Sequence, residues 1–405
     1  MEDNDVLGQI RAHLEALTTS STGRPVGSAA NQAAEAYIAN ILRQAGYDVE
    51  QQRFECVDWQ LDGVELWLGD GPLPVRANPY SPPGDATASL VIAGSLNELE
   101  RAELTGKIAL LHGELTPSYL FPKNYPFFNV EEHQRIIQLL ETGAPRAVIM
   151  VSHHSGDPSP LIEDGDFTIP SVTVSADVGA VLMDAGEPVT VRVQSTSRPG
   201  YGANVIGRRA QQAREKVVLT AHFDTKPGTP GALDNAAGVA AILALAGKLA
   251  AADFGTNLEV VAFNGEDHYA APGEIAYING CGGEFGRIAL LINIDGVGLK
   301  DEQSTVAFFN TDPEWTATVR TRINQNPHIS ETDPWPEGDH TIFAMRGIPC
   351  LALTSSGIHA IIEKIIHTPQ DTLDIVEPEP IAATVEFLYH LLLETQPPLV
   401  SRPET

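Results

Sequence analysis

The sequence predicts an α/β protein. Helices should cover both faces of a mainly parallel sheet in a three-layer α/β/α arrangement, with a β-rich domain inserted. Three observations predict it. After residue 203, β-branched apolar segments alternate with helical ones, the pattern of a sheet buried on both sides. Between about 55 and 198 the texture differs, with short strand-like pieces among Gly and Pro. Apolar residues at 43% and charged residues at 19% are values of a globular chain.

In chain order, "GSAANQAAEAYIANILRQAGYDVEQQRF" reads as a helix followed by a strand. Ala34, Ile38, Ile41, Leu42 and Ala45 recur at helical spacing, and Gly46 stops the helix. "NPYSPPGDA" is a break. "TGKIALLHGE", "RAVIMVS" and "FTIPSVTVS" read as strands, with a helix over "VEEHQRIIQLLETGA". "TSRPGYGA", residues 196–203, reads as a linker-like return. The expected domains are therefore 1–54 with 199–405, and 55–198. In the second half, strands are expected at "KVVLTAH", "LEVVAFN", "ALLINID", "TVAFFN" and "PCLALT". Helices are expected at about 235–252, 313–325, 340–346 and 379–396.

The 405 residues carry a net charge of −28 and no basic run, which excludes a phosphate-neutralising nucleic-acid partner. Three widely spaced cysteines form no CxxC pair, so neither a thiolate zinc knuckle nor a disulfide framework is indicated. "MEDNDVLGQI" lacks the basic and apolar regions of a signal peptide. The apolar run 236–247 is short for a bilayer span. A cytoplasmic protein with no membrane partner is expected, and a secreted one if residues are missing upstream. No phosphate loop, GxSxG elbow or HExxH helix occurs. "HHSGD" at 153–157 is expected to be an exposed turn of the insert.

Ligands of such sheets collect outside the carboxyl ends of the strands. Three apolar strands end there in polar groups: His222 with Asp224, Glu266 with Asp267, and Asp295. "GALDN" adds Asp234 ahead of a soft helix, and "IIHTPQDT" adds His367 and Asp371. Taken singly these are N-caps, turns and hydrogen-bonded histidines. Together, clustered carboxylates need a counter-charge, and Lys226 is the one cation beside these motifs. A metal supplies it. Histidines mixed with carboxylates suit Zn²⁺, with Mn²⁺ or Co²⁺ as alternatives. The ligand count fits two ions about 3.5–4 Å apart sharing one carboxylate, a role open to Asp234. Asp224 is placed to orient His222. Glu266, beside a ligand, stands where a general base is needed.

These motifs resemble the di-zinc exopeptidase family, clan MH, which includes bacterial leucyl aminopeptidases and glutamate carboxypeptidase-like enzymes. The matching elements are "RPVGSAANQAAEAYIANILRQAGYDV", "AHFDT", "GALDNAAG", "FNGED", "INIDGVG", "GDHTIFAMRGIP" and "HTPQDT". The insert resembles a protease-associated domain. The resemblance implies the zinc-dependent exopeptidase fold with a mixed, mainly parallel sheet, and an aminopeptidase acting on peptides. It implies one metal on His222 and Asp295, the other on Asp267 and His367, with Asp234 bridging and Glu266 as base. It also implies a cis peptide after Asp234. Two departures stand out. Asp267 replaces a frequent glutamate, and Ile366 replaces a tyrosine that serves the oxyanion in some relatives. His340 is the candidate substitute. A carboxypeptidase is the alternative, followed by a glutaminyl cyclase-like enzyme or a receptor-like protein without activity.

Overall fold

The structure, a computed structural model, describes residues 3–211, 213–252, 254–362 and 364–395. Met1 and residue 396, the expected end of the last helix, lie outside them. Ten strands form a mixed central sheet. Its heart is four neighbouring parallel strands in the order Cys350–Ser355, Ile288–Ile294, Lys216–His222 and Asn257–Phe263. Antiparallel strands flank them on either side: Ser304–Phe309 against Cys350–Ser355, and Val189–Arg209 against Asn257–Phe263.

Period-2 alternation divides each central strand between two cores. Val217, Leu219 and Ala221 face the helices Asp3–Leu17, Ala29–Gln44, Ala237–Ala251 and Pro378–Glu394. Val218 faces Tyr277 and Phe343, on the helices Pro272–Cys281 and His340–Ala344. The result is an α/β/α sandwich whose parallel strands all end on one side. The stretch Ala232–Ala251 is long and apolar enough to cross a membrane, yet 89% of its window is packed inside the fold.

A second sheet of five strands comes entirely from residues 76–174. Four of its strands, Leu90–Ala93, Ile108–Leu111, Ala147–Val151 and Ser171–Val174, run parallel. It has an apolar core on each face. Glu131–Gly143 lies on one side and Ala176–Met183 on the other.

The connection between the sheets differs from the expected linker at 196–203. Asp48–Leu68 and Val189–Arg209 are 21-residue strands paired along nearly their whole length. Pro199 sits opposite Val57 within this ribbon. From Gln194 to Asn204 the strand has a partner on one side only, so a proline without N–H is tolerated there. Residues 54/55 and 198/199 thus fall inside continuous strands.

Candidate metal centre and active-site cavity

The parallel strands deliver polar groups to one edge of the sheet. His222 is the last residue of its strand and is buried. Its Nε2 lies 3.0 Å from Asp234 Oδ1, 3.6 Å from Asp295 Oδ2 and 4.0 Å from Glu266 Oε2. His367 Nε2 lies 3.0 Å from Asp234 Oδ2 and 3.1 Å from Asp267 Oδ1. The Asp234 carboxylate therefore presents one oxygen to each histidine. Ligand atoms of His222, Asp234 and Asp267 all lie within 4.8 Å of one another.

Backbone anchors hold this arrangement. The Leu233 and Asp234 amides donate to the Asp371 carboxylate at 2.7 and 3.1 Å. The Asp234–Asn235 peptide is cis. The Asn235 side chain accepts from Gly238 N at 2.8 Å and donates to the Ile294 carbonyl at 2.9 Å, tying the start of the helix to the strand that precedes Asp295. Only glycine fits at 238, because a Cβ there would lie 2.2 Å from Ile294 O.

Asp224 plays a different part from the one expected. Its Oδ1 is 3.7 Å from His222 Nδ1, which is nearer the Asp224 carbonyl at 3.3 Å. The carboxylate instead accepts the Gly265 and Asp267 amides at 2.7 and 3.1 Å, so it holds the turn that carries Glu266.

His340, the candidate for the oxyanion, does not line the cavity. It is fully buried, with Nε2 3.0 Å from the Trp335 carbonyl, outside the cavity lining. Burial lowers its pKa to about 4. Its neighbour Asp339 reaches the cavity.

Sequence reasoning missed Arg24, which is buried. Its guanidinium donates to the carbonyls of Leu17, Phe223, Pro230 and Gly231 at 2.6–2.9 Å, bracing the loop between His222 and Asp234. Such a role leaves no local mark, because its partners are main-chain oxygens distant in sequence. Glu163 was missed because its partner, too, is distant in sequence. It accepts from Lys226 Nζ at 2.7 Å, and that ammonium lies 3.7 Å from Asp267 Oδ1.

The electrostatics fit a cation. Burial opposes charge on His222 and His367, but the surrounding carboxylates outweigh it and hold both pKa values well above the ordinary one. Burial pushes Glu266 well up, and the charges of Asp267, Asp295 and Asp234 add to this against His222. His222 Nε2 and Asp267 Oδ2 are buried without a well-aligned hydrogen bond. Unpaired nitrogen and oxygen lone pairs facing one point are what a zinc ion takes.

The cluster opens into a cavity of about 460 Å³. Part of its wall is aromatic and comes from the second sheet's loops: Tyr119, Phe121, Tyr125, Phe127 and Phe128. His153 and His154, expected in a plain exposed turn, also line it. His153 is exposed and His154 half-buried.

Residues 204–392 match the model of peptidase family M28. These residues form an M28 peptidase domain. The chain is 27% identical to a probable lipoprotein aminopeptidase, LpqL, of Mycobacterium tuberculosis, over 67% of this chain and 54% of that one. It is 27% identical to the aminopeptidase YwaD of Bacillus subtilis, over 71% of this chain and 61% of that one. The chain thus spans between half and two thirds of these relatives' length. The fold matches that of a zinc aminopeptidase from Bacillus subtilis with a TM-score of 0.78, at 21% identity, covering 96% of this chain and 95% of that one. In the M28 domain the histidines and carboxylates described above occupy the carboxyl edge of the sheet.

Proposed function

We propose that the protein is a zinc-dependent aminopeptidase that removes N-terminal residues from peptides. The observation that carries this reading is the Asp234 carboxylate, with one oxygen 3.0 Å from each histidine. His222 and Asp295 would hold one zinc ion, and Asp267 and His367 the other, with Asp234 shared. When bound, such a pair lowers the pKa of a water and polarises the scissile carbonyl. Glu266, on the cavity wall, takes the proton from the attacking water and returns it to the leaving nitrogen. Asp224 holds the Glu266 turn by its two amide bonds.

The cavity favours an amine over a carboxylate terminus. Lys226 is the only Lys or Arg lining it among the described residues, and its ammonium is paired with Glu163. Arg346 and Lys364, the cations a carboxypeptidase reading would enlist, are not in the lining. The names of the M28 relatives support the same activity. We assign residues 55–198 to an inserted domain whose aromatic loop lines the cavity. The presence of its own sheet and two cores supports that division.

Metal analysis paired with hydrolysis of free and N-blocked peptides tests the reading. Zinc retention with cleavage of free-amine peptides alone is expected. Cleavage of N-blocked peptides in preference to free ones overturns it.

A further inference from the structure

Aminopeptidase action, the reading on which this inference rests, requires a partner for the substrate's α-ammonium. Two carboxylates on the cavity wall, outside the metal-ligand set, have the chemistry for it. Glu274 lies in the first turn of the helix Pro272–Cys281 and is 2% exposed. Asp339 immediately precedes the helix His340–Ala344 and is 1% exposed. Both line the cavity together with Glu266.

Neither is fully satisfied among the described residues. Glu274 Oε2 and both Asp339 oxygens are buried without a hydrogen-bond partner. Asp224 and Asp371, buried nearby, accept two amides each. Glu163 leaves its Oε1 unpaired, but its Oε2 already takes the Lys226 ammonium at 2.7 Å, whereas no cation of the protein pairs with Glu274 or Asp339 among the described residues. Burial, then the charge of Asp224, raises Glu274 to about 8. Burial, then the charge of Glu274, raises Asp339 well above its ordinary value. The Glu274 charge thus acts on Asp339, and a cation at this wall of the cavity relieves the cost of burying both carboxyls.

We propose that Glu274 and Asp339 together recognise the α-ammonium group of the peptide N-terminus. A primary ammonium carries three N–H donors, and the pair offers three unpartnered oxygens. The two carboxyls come from different segments, one following the strand that leads to Glu266 and one preceding the last parallel strand. An amine held between them is fixed relative to both sides of the cleft. An N-blocked peptide offers no such charge and leaves the oxygens unpaired.

The zinc-loaded protein with Glu274→Gln, Asp339→Asn and both together tests this. Each change keeps the shape and removes the charge. KM for an aminoacyl p-nitroanilide should rise about ten- to hundredfold per variant, the loss expected for a charged hydrogen-bonding partner. kcat should move less than about threefold, since the contact exists in ground and transition states alike. Calorimetric binding of n-hexylamine should weaken by the same factor, while 1-hexanol binding stays unchanged. Unaltered KM and hexylamine affinity overturn the proposal. So does equal weakening of amine and alcohol, which would make the pair a proton-sharing wall of the cavity. If Asp339→Asn does not fold, Glu274→Gln alone decides by the same readouts. If neither folds, wild-type protein that binds hexylamine no better than hexanol overturns it. Wild-type cleavage of N-blocked peptides would instead sink the aminopeptidase reading.

Discussion

Asp371 bonds backbone amides and not the side chain of a proposed metal ligand among the described residues, yet the geometry makes it a determinant of the site. Its two carboxylate oxygens accept the amides of Leu233 and Asp234 at 2.7 and 3.1 Å. Asp371→Asn preserves volume and removes one acceptor. Oδ1 retained toward Leu233 leaves the new NH₂ facing the Asp234 amide, donor against donor. An orphaned buried donor costs about 1–3 kcal/mol. The remaining bond loses its charge assistance, roughly another 1 kcal/mol. A loss of about 2–4 kcal/mol in the metal-free protein follows, measurable as a shift in urea midpoint with chelator present. Because the displaced amide belongs to Asp234 itself, zinc affinity should also fall about 10- to 100-fold, read by competition with a chromogenic chelator. Asp371→Asn protein with an unchanged urea midpoint and unchanged zinc affinity would refute the anchoring argument.

Three further outcomes are expected. Glu266→Gln should retain zinc and lose about 10²- to 10⁴-fold in kcat; normal turnover with metals bound would remove Glu266 from the role of base. Gly238→Ala should destabilise the protein and weaken zinc binding, since the new Cβ meets Ile294 O at 2.2 Å and Asn235 Oδ1 at 2.3 Å; wild-type melting would contradict the packing. His13, buried and 2.7 Å from the Tyr37 hydroxyl, has its pKa lowered by burial from 6.5 to about 4. The unfolded chain therefore binds its proton first. The contribution of neutral His13 is complete above pH 6.5 and lost as pH falls toward about 4, up to about 3 kcal/mol. His13→Gln should flatten the pH dependence of stability across that window, and parallel curves would refute the assignment.

Much of the catalytic half is legible in the sequence because parallel strands buried on both faces read as unbroken apolar runs. His222, Glu266, Asp267 and Asp295 stand out at their ends, and the structure brings them together with Asp234 and His367. What local pattern does not carry is direction and distance. Asp224, two residues beyond His222, is placed to meet its ring, yet the chain leaves the strand at His222 and the carboxylate turns to the 265–267 amides. His340 and Asp339 are adjacent, and one helical step decides that the aspartate faces the cavity. "TSRPGYGA" carries every mark of a turn, but a ribbon open on one side accepts both its proline and its glycines. Glu274 looks like an ordinary first-turn acid on a helix. Only the tertiary fold sets it in a cavity beside a second unpaired carboxylate.

The site's organisation follows from how little each proposed ligand is held by its own element. Strand hydrogen bonds fix His222, and the Asp295 amide still donates to the Leu353 carbonyl at 2.9 Å, but the Asp234 and Asp267 amides lie outside the sheet ladder and need other partners. Each of these two is caught by a buried carboxylate from a distant segment, Asp371 for Asp234 and Asp224 for Asp267, while Asn235 donates to the Ile294 carbonyl before Asp295. Arg24 braces the loop joining His222 to Asp234 through three of its carbonyls and ties it to Leu17 through a fourth bond. Each anchor is a hydrogen bond between protein groups, so folding itself should shape the constellation. Zinc would then add affinity without having to organise the chain. That consequence separates this centre from small metal-folded domains, which unfold without their ion. The stripped protein should therefore keep its cooperative unfolding transition and its near-ultraviolet circular dichroism. Loss of fixed tertiary structure on chelation would show that the anchors are insufficient.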